Sequence, residues 1–146
     1  MYLNWKKEAV NDLRTYPQRK AACENIRERI QILDEQFKSL KGASTDMPVK
    51  GGMSRQEEKL LDNIYEREKL QFSLKIAEAL VKLTEKGLEA LEKRERQILE
   101  GFYFEQIENR VEKLCERFRV EKSTLYRMKD SALENFTRNE YGIVEL

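Results

Sequence analysis

Between Cys23 and Leu40 the residues Cys23, Ile26, Ile30, Leu33, Phe37 and Leu40 follow one another at spacings of 3, 4, 3, 4 and 3, with mostly charged or polar positions between them. No other feature constrains the fold as much. On an α-helix this rhythm draws a narrow apolar seam, the pattern of a helix that pairs with one other helix. A chain of 146 residues can build either one core or a small domain joined to a coiled-coil arm. The seam points to the second layout. Composition agrees, because 38 % charged residues beside 6 Gly and 2 Pro suit long, solvated helices better than a mixed fold.

Punctuation divides the chain. Pro17 lacks an amide donor and crowds the preceding turn. It is therefore expected to end or kink a first helix, about 3–16, that carries Ala9, Val10 and Leu13 on its apolar side. A second helix, 17–41, would hold the heptad seam, with Cys23 as a small buried apolar residue rather than a reactive thiol. Residues Gly42–Met53 (GASTDMPVKGGM) read as a connecting loop. Its glycines do not form a phosphate loop, since no strand precedes them and no Lys-Ser/Thr pair follows at the required spacing. Ser54 followed by Glu57 is a capping box that opens a third helix, running to about Leu91. Its second half has two apolar stripes: Leu70, Leu74, Ala77, Val81, Leu88 and Leu91, and then Phe72, Ile76, Leu80 and Leu83. Two stripes require two covers. One is the 17–41 helix, folded back as a hairpin. The other is the short first helix or a second copy of the chain, and a homodimer through the arm is the expectation.

Beyond Leu91 the periods shorten into three helices, about 93–108, 109–118 and 122–138. The first turns Ile98, Leu99 and Phe102 inward, the second Val111, Leu114, Cys115 and Phe118, and the third Leu125, Met128, Ala132 and Phe136. Only Arg119, Val120 and Glu121 separate the last two, which is the local signature of a helix-turn-helix. Counting Val111 as position one, such a motif has apolar residues at positions four, eight, ten, fifteen and eighteen. Here these are Leu114, Phe118, Val120, Leu125 and Met128. Position five, where the helices touch, is the small Cys115. Position nine favours positive φ and glycine but is Arg119, at a cost on the order of 1 kcal/mol. Glu121 is also a weak helix cap.

If the third helix enters a major groove, its exposed first turns present Lys122, Ser123, Thr124, Tyr126 and Arg127 to base edges. Arg110, Lys113, Arg117, Arg119 and Lys129 are the expected phosphate contacts. The net charge of +1 hides a local excess. Residues 110–129 hold seven basic against three acidic side chains, whereas residues 54–93 hold eight against nine.

Several classes are excluded. No run of 18 apolar residues occurs, and the first residues, MYLNWKKEAVNDL, lack the apolar core of a signal peptide. Cys23 and Cys115 are far apart and histidine is absent, so neither a zinc site, another metal site nor a disulfide framework is expected. With no histidine and no phosphate loop an enzyme is not expected either. The expectation is an all-α, cofactor-free cytoplasmic protein. It has a helical arm at 1–91 and a three-helix helix-turn-helix domain at 92–146.

The stretch Ala90–Leu133 (ALEKRERQILEGFYFE … VEKLCERFRVEKSTLYRMKDSAL) resembles region 4 of sigma-70-type factors, where an Arg-Glu-Arg segment opens a helix and a helix-turn-helix ending in Ala-Leu follows. The whole chain is similar to phage-encoded regulators of the ArpU and RinA type, through KKEAVNDLRTY at Lys6–Tyr16, DMPVKGG at Asp46–Gly52 and the C-terminal stretch. The resemblance implies a transcriptional activator of phage late genes, acting in the bacterial host cytoplasm through promoter DNA and contacts with RNA polymerase. Sigma region 4 reads its element through the recognition helix, at positions matching Lys122, Ser123, Thr124, Tyr126 and Arg127. Sigma factors carry more Arg and Glu on this face, so a target sequence is not inherited. Two rivals stand beside this reading. One is a small terminase subunit-like DNA-recognition protein, and the other is a coiled-coil adaptor that binds no DNA.

Overall fold

The structure is a computed structural model that describes residues 4–42, 52 and 54–142. The described residues form five helices and no strand: α1 (Trp5–Gly42), α2 (Arg55–Glu89), α3 (Lys93–Tyr103), α4 (Arg110–Phe118) and α5 (Lys122–Tyr141). The chain is all-α, as expected. Of the connecting loop only Gly42, which ends α1, and Gly52 are described, and the DMPVKGG match, Gly52 aside, lies outside the described residues. At the entry to α2 the capping box is formed. The Glu57 amide donates to Ser54 Oγ at 3.1 Å, and the Ser54 amide donates to Glu57 Oε2 at 3.4 Å, so two amides at the start of the helix are satisfied.

The helices divide into two compact units, one formed by residues up to Arg19 together with those from Ala79 onward, the other by Lys20–Glu78. The second unit is an antiparallel helical pair. Its cross-links descend one helix as they climb the other. Gln56 Nε2 donates to the Leu40 carbonyl, Asn63 Nδ2 to Leu33 O at 2.8 Å and Arg67 Nη1 to Asp34 Oδ1 at 3.1 Å, and Arg27 pairs with Glu78 at 2.7 Å. Cys23 is buried, and Ile26, Ile30, Leu33, Phe37 and Leu40 are half-buried on the expected seam. The facing seam on α2 starts earlier than the sequence suggested. Leu60, Asn63 and Arg67 precede Leu70, Leu74 and Ala77 at the same 3/4 spacing and are likewise shielded. Asn63 and Arg67 form a polar layer within it. The Arg67 guanidinium lies 4.6 Å from the Phe37 ring centroid, so its flat face covers an apolar neighbour while its edge meets Asp34. Polar residues inside such a seam fix the register of the pair.

The first unit has a single apolar core. Ala9 and Leu13 of α1, Leu88 of α2 and Leu91 just past its end, Ile98, Leu99, Phe102 and Tyr103 of α3, Leu114 of α4 and Leu125, Ala132, Leu133 and Phe136 of α5 all belong to it. Leu13, Leu99, Leu125 and Phe136 are fully buried, each stabilising the fold by about 1.5–3 kcal/mol relative to exposure. Two glycines mark close approaches. A Cβ on Gly87 would lie 2.7 Å from Phe136 Cε2, and one on Gly101 would lie 2.5 Å from Leu114 Cδ2. The α1 segment lies over α5 and the end of α3. Trp5 packs on Tyr141 with centroids 5.0 Å apart, Tyr16 stacks on Phe104 at 5.0 Å, and Lys6 pairs with Glu134 at 2.9 Å.

Two expectations are corrected. Pro17 does not end a helix, because α1 runs through it as one 38-residue element. The missing amide costs on the order of 3 kcal/mol, and packing on both sides outweighs it, with Ala9 and Leu13 buried before Pro17 and Cys23 buried after it. The two compact units part within α1, after Arg19, and within α2, after Glu78. The start of α1 and the end of α2 supply core to the C-terminal helices. Finally, α3 stops at Tyr103 rather than near Glu108. Arg110 donates to the carbonyls of Phe102 and, at 3.4 Å, Glu105, which satisfies the end of the helix.

Candidate nucleic-acid interface

Within the first unit, α4 and α5 are joined by Arg119, Val120 and Glu121. α4 turns Leu114 fully inward and packs Val111, Cys115 and Phe118 against the core. It is closed by two backbone bonds, Val120 N–H to Cys115 O at 3.1 Å and Arg119 N–H to Glu116 O at 3.3 Å. This is the Schellman arrangement, which needs a left-handed residue just past the helix. Arg119 takes that conformation, with φ 55° and ψ 49°, as position nine of the register required. Val120 then tucks against the core. Glu121 follows in an extended conformation with no side-chain cap. α5 leaves the turn with Leu125 buried and Met128 packed against the core.

The opposite side of α5 faces solvent. Lys122, Ser123, Tyr126 and Arg127 are exposed, and Thr124 is half-buried. Tyr126 is anchored from below, its ring tilted against Phe102 at 5.8 Å, so its hydroxyl end is presented from a fixed base. The five expected phosphate residues do not behave alike. Lys113, Arg117 and Arg119 are exposed, with Arg117 resting 5.7 Å from the centroid of Phe118. Arg110 is occupied at the end of α3 by the two carbonyls named above. Lys129 is paired with Asp130 at 2.8 Å and lies over the rings of Phe102 and Tyr126, with its side chain only 19 % exposed. Both are fixed by intramolecular contacts. A lysine bound in this way has little reach toward a phosphate outside the fold.

One cation escaped the sequence reading. Arg94, in the first turn of α3, is exposed and sits 5.7 Å from the Phe118 centroid. With Thr124, Arg127 and Ser131 it rims a hollow of about 390 Å³, whose floor includes Ile98 and Met128 and whose edge includes Glu92 and Glu95. The Lys-Arg-Glu-Arg run was visible, but nothing in its spacing shows that α3 brings Arg94 beside the first turns of α5. Beneath the module, burial pushes the Tyr103 phenol up, partly opposed by Lys129 and Arg14, which keeps it a neutral core residue. Chemically, the exposed set offers cations and hydroxyls on one convex helix with flanking arginines. That suits hydrogen bonding to base edges and pairing with phosphate. Among the described residues no cluster of carboxylates or thiols could hold a metal ion.

No protein family, characterised protein or solved structure matches the chain.

The described helices include none long and apolar enough to cross a membrane.

Proposed function

We propose that the chain is a sequence-specific DNA-binding transcriptional regulator that reads duplex DNA through α5. The observation carrying this reading is the pairing of register and exposure. All five apolar positions of a helix-turn-helix are filled by residues that pack inward, while Lys122, Ser123, Tyr126 and Arg127 on the outer side of α5 stay in solvent. A three-helix module with no DNA role has no need to keep that side basic and hydroxylated. Lys122 and Arg127 act on guanine O6 and N7, Ser123 and Thr124 on bases or phosphate, and Tyr126 on a thymine methyl or a phosphate. Lys113, Arg117 and Arg119 hold the backbone, with Arg94 added to that set.

The sigma region 4-like stretch and the similarity to ArpU- and RinA-type regulators support a role in activating phage late genes, in the cytoplasm of a bacterial host and with RNA polymerase as a second partner. A homodimer through α1 and α2 fits a regulator that binds two half-sites. The test is selection of binding sites from random duplex DNA. An enriched motif is expected, and Lys122→Ala and Arg127→Ala should each cost about 1–3 kcal/mol on that motif while relaxing preference at one position. Failure to enrich any motif, with both variants binding as the parent does, would sink the proposal.

A further inference from the structure

Six of the nine large apolar side chains exposed among the described residues lie on α2: Leu61, Tyr65, Phe72, Ile76, Leu80 and Leu83. They are therefore concentrated, and five of them are also in register. Leu61, Phe72 and Leu83 are 11 residues apart, as are Tyr65 and Ile76. At 3.6 residues per turn eleven residues make just over three turns, and an 11-residue repeat corresponds to 3.67 residues per turn, so these five side chains form one nearly straight stripe, about 33 Å long at 1.5 Å per residue. It runs on a different side of α2 from the 3/4 seam. Phe72, at its midpoint, is 67 % exposed and Tyr65 64 %. Apolar surface this continuous marks an interface.

The charges beside the stripe identify the occupant. Glu57, Glu58, Asp62 and Glu68 flank its N-terminal half, with Lys69 the one nearby exception. Lys75, Lys82 and Lys86 flank its C-terminal half. Helical geometry puts Glu57, Glu68, Lys75, Lys82 and Lys86 on the same flank. We propose that the stripe docks on the same stripe of a second copy, antiparallel, about a two-fold axis at Phe72. In that arrangement Leu61 meets Leu83 of the partner subunit, and like flanks face each other. Glu68 then lies beside Lys75 of the partner subunit, and Glu57 beside Lys86 of the partner subunit. A parallel pairing would set the acidic halves level with each other and the basic halves likewise. A closed two-fold interface needs a self-complementary patch, and this one is self-complementary about Phe72 in the placement of its apolar residues and of its charges. Its 11-residue period calls for a nearly straight or slightly right-handed pairing, unlike the left-handed twist of a heptad seam.

The inference rests on the dimeric reading above and is independent of DNA binding. Sedimentation equilibrium of the full chain should show a dimer at micromolar concentration. Phe72→Glu should weaken self-association at least about 100-fold, with helical circular dichroism unchanged because the side chain is exposed. In a Cys23→Ala, Cys115→Ala background, Leu61→Cys mixed with Leu83→Cys should form a disulfide-linked dimer under mild oxidation, and neither should cross-link by itself. A monomeric parent overturns the dimer altogether. A parent dimer that survives Phe72→Glu and forms no 61–83 disulfide overturns this face while leaving the dimeric reading intact. Self-cross-linking of Leu61→Cys overturns the antiparallel arrangement. If Phe72→Glu were to lose helicity, the two cysteine variants would decide.

Discussion

Arg119 does two separable jobs at the turn between α4 and α5. Its backbone closes α4 from the left-handed region, at φ 55°, where a Cβ costs on the order of 1 kcal/mol. Its side chain is exposed and belongs to the proposed phosphate set. Arg119→Gly should therefore move stability and binding in opposite directions. Urea unfolding should show a gain of a few tenths to about 1 kcal/mol, because relief of strain exceeds the added freedom of the unfolded chain. Binding to every duplex should weaken, with the slope of log K against log salt reduced by about 1. A loss of stability would contradict the turn geometry, and an unchanged slope would remove Arg119 from the phosphate contacts. Arg110 shows the converse, since a residue expected to reach DNA instead donates to two backbone carbonyls.

At the scale of elements, α1 is the informative case. Proline within a helix costs on the order of 3 kcal/mol, yet Trp5–Gly42 is one helix through Pro17. Local preference loses there to burial of Ala9, Leu13 and Cys23. Pro17→Ala should then restore the missing backbone bond and stabilise the protein by about 1–3 kcal/mol, with an increase in helical signal and no change in DNA binding. A destabilised variant would show that the ring itself packs productively. The start of α2 needed no such contest, because Ser54 and Glu57 make a local signal that the tertiary structure leaves undisturbed.

At the scale of the whole molecule, acidity should tune stability through one buried carboxyl. Glu140, at the end of α5, is pushed up to about 9, first by burial, then by its hydrogen bond to Asp12 of α1 and by the charge of Asp12, against the opposing pull of Arg19. Asp12 itself accepts from Arg19 at 3.2 Å and from the Tyr141 hydroxyl, and Glu8 adds to the negative surroundings of Tyr141. Near neutral pH Glu140 is therefore protonated in the folded chain and ionised in the unfolded one. Stability is full below the ordinary carboxylate range and is lost as pH rises toward 9, because folding must take up a proton. Thermal unfolding followed from pH 5 to pH 9 should show a falling Tm, and Glu140→Gln should flatten that dependence. A parent Tm that rises or stays level across this window would contradict a buried neutral Glu140.

The amino-acid sequence by itself determined the helices and the inward register of the C-terminal module, since both follow from spacings of three and four residues and from local caps. Leu114, Phe118, Val120, Leu125 and Met128 were legible because each position has one geometric meaning in a short turn between two helices. Tertiary structure decided what depends on distant residues meeting. It carried α1 through Pro17, assigned Arg110 and Lys129 to intramolecular contacts and brought Arg94 beside Arg127. It also joined the first turns of α1 to the C-terminal core. The physical reason is common to all four. Periodicity reports which side of a helix is apolar, but burial and the satisfaction of free carbonyls and charges depend on which helix arrives to cover it.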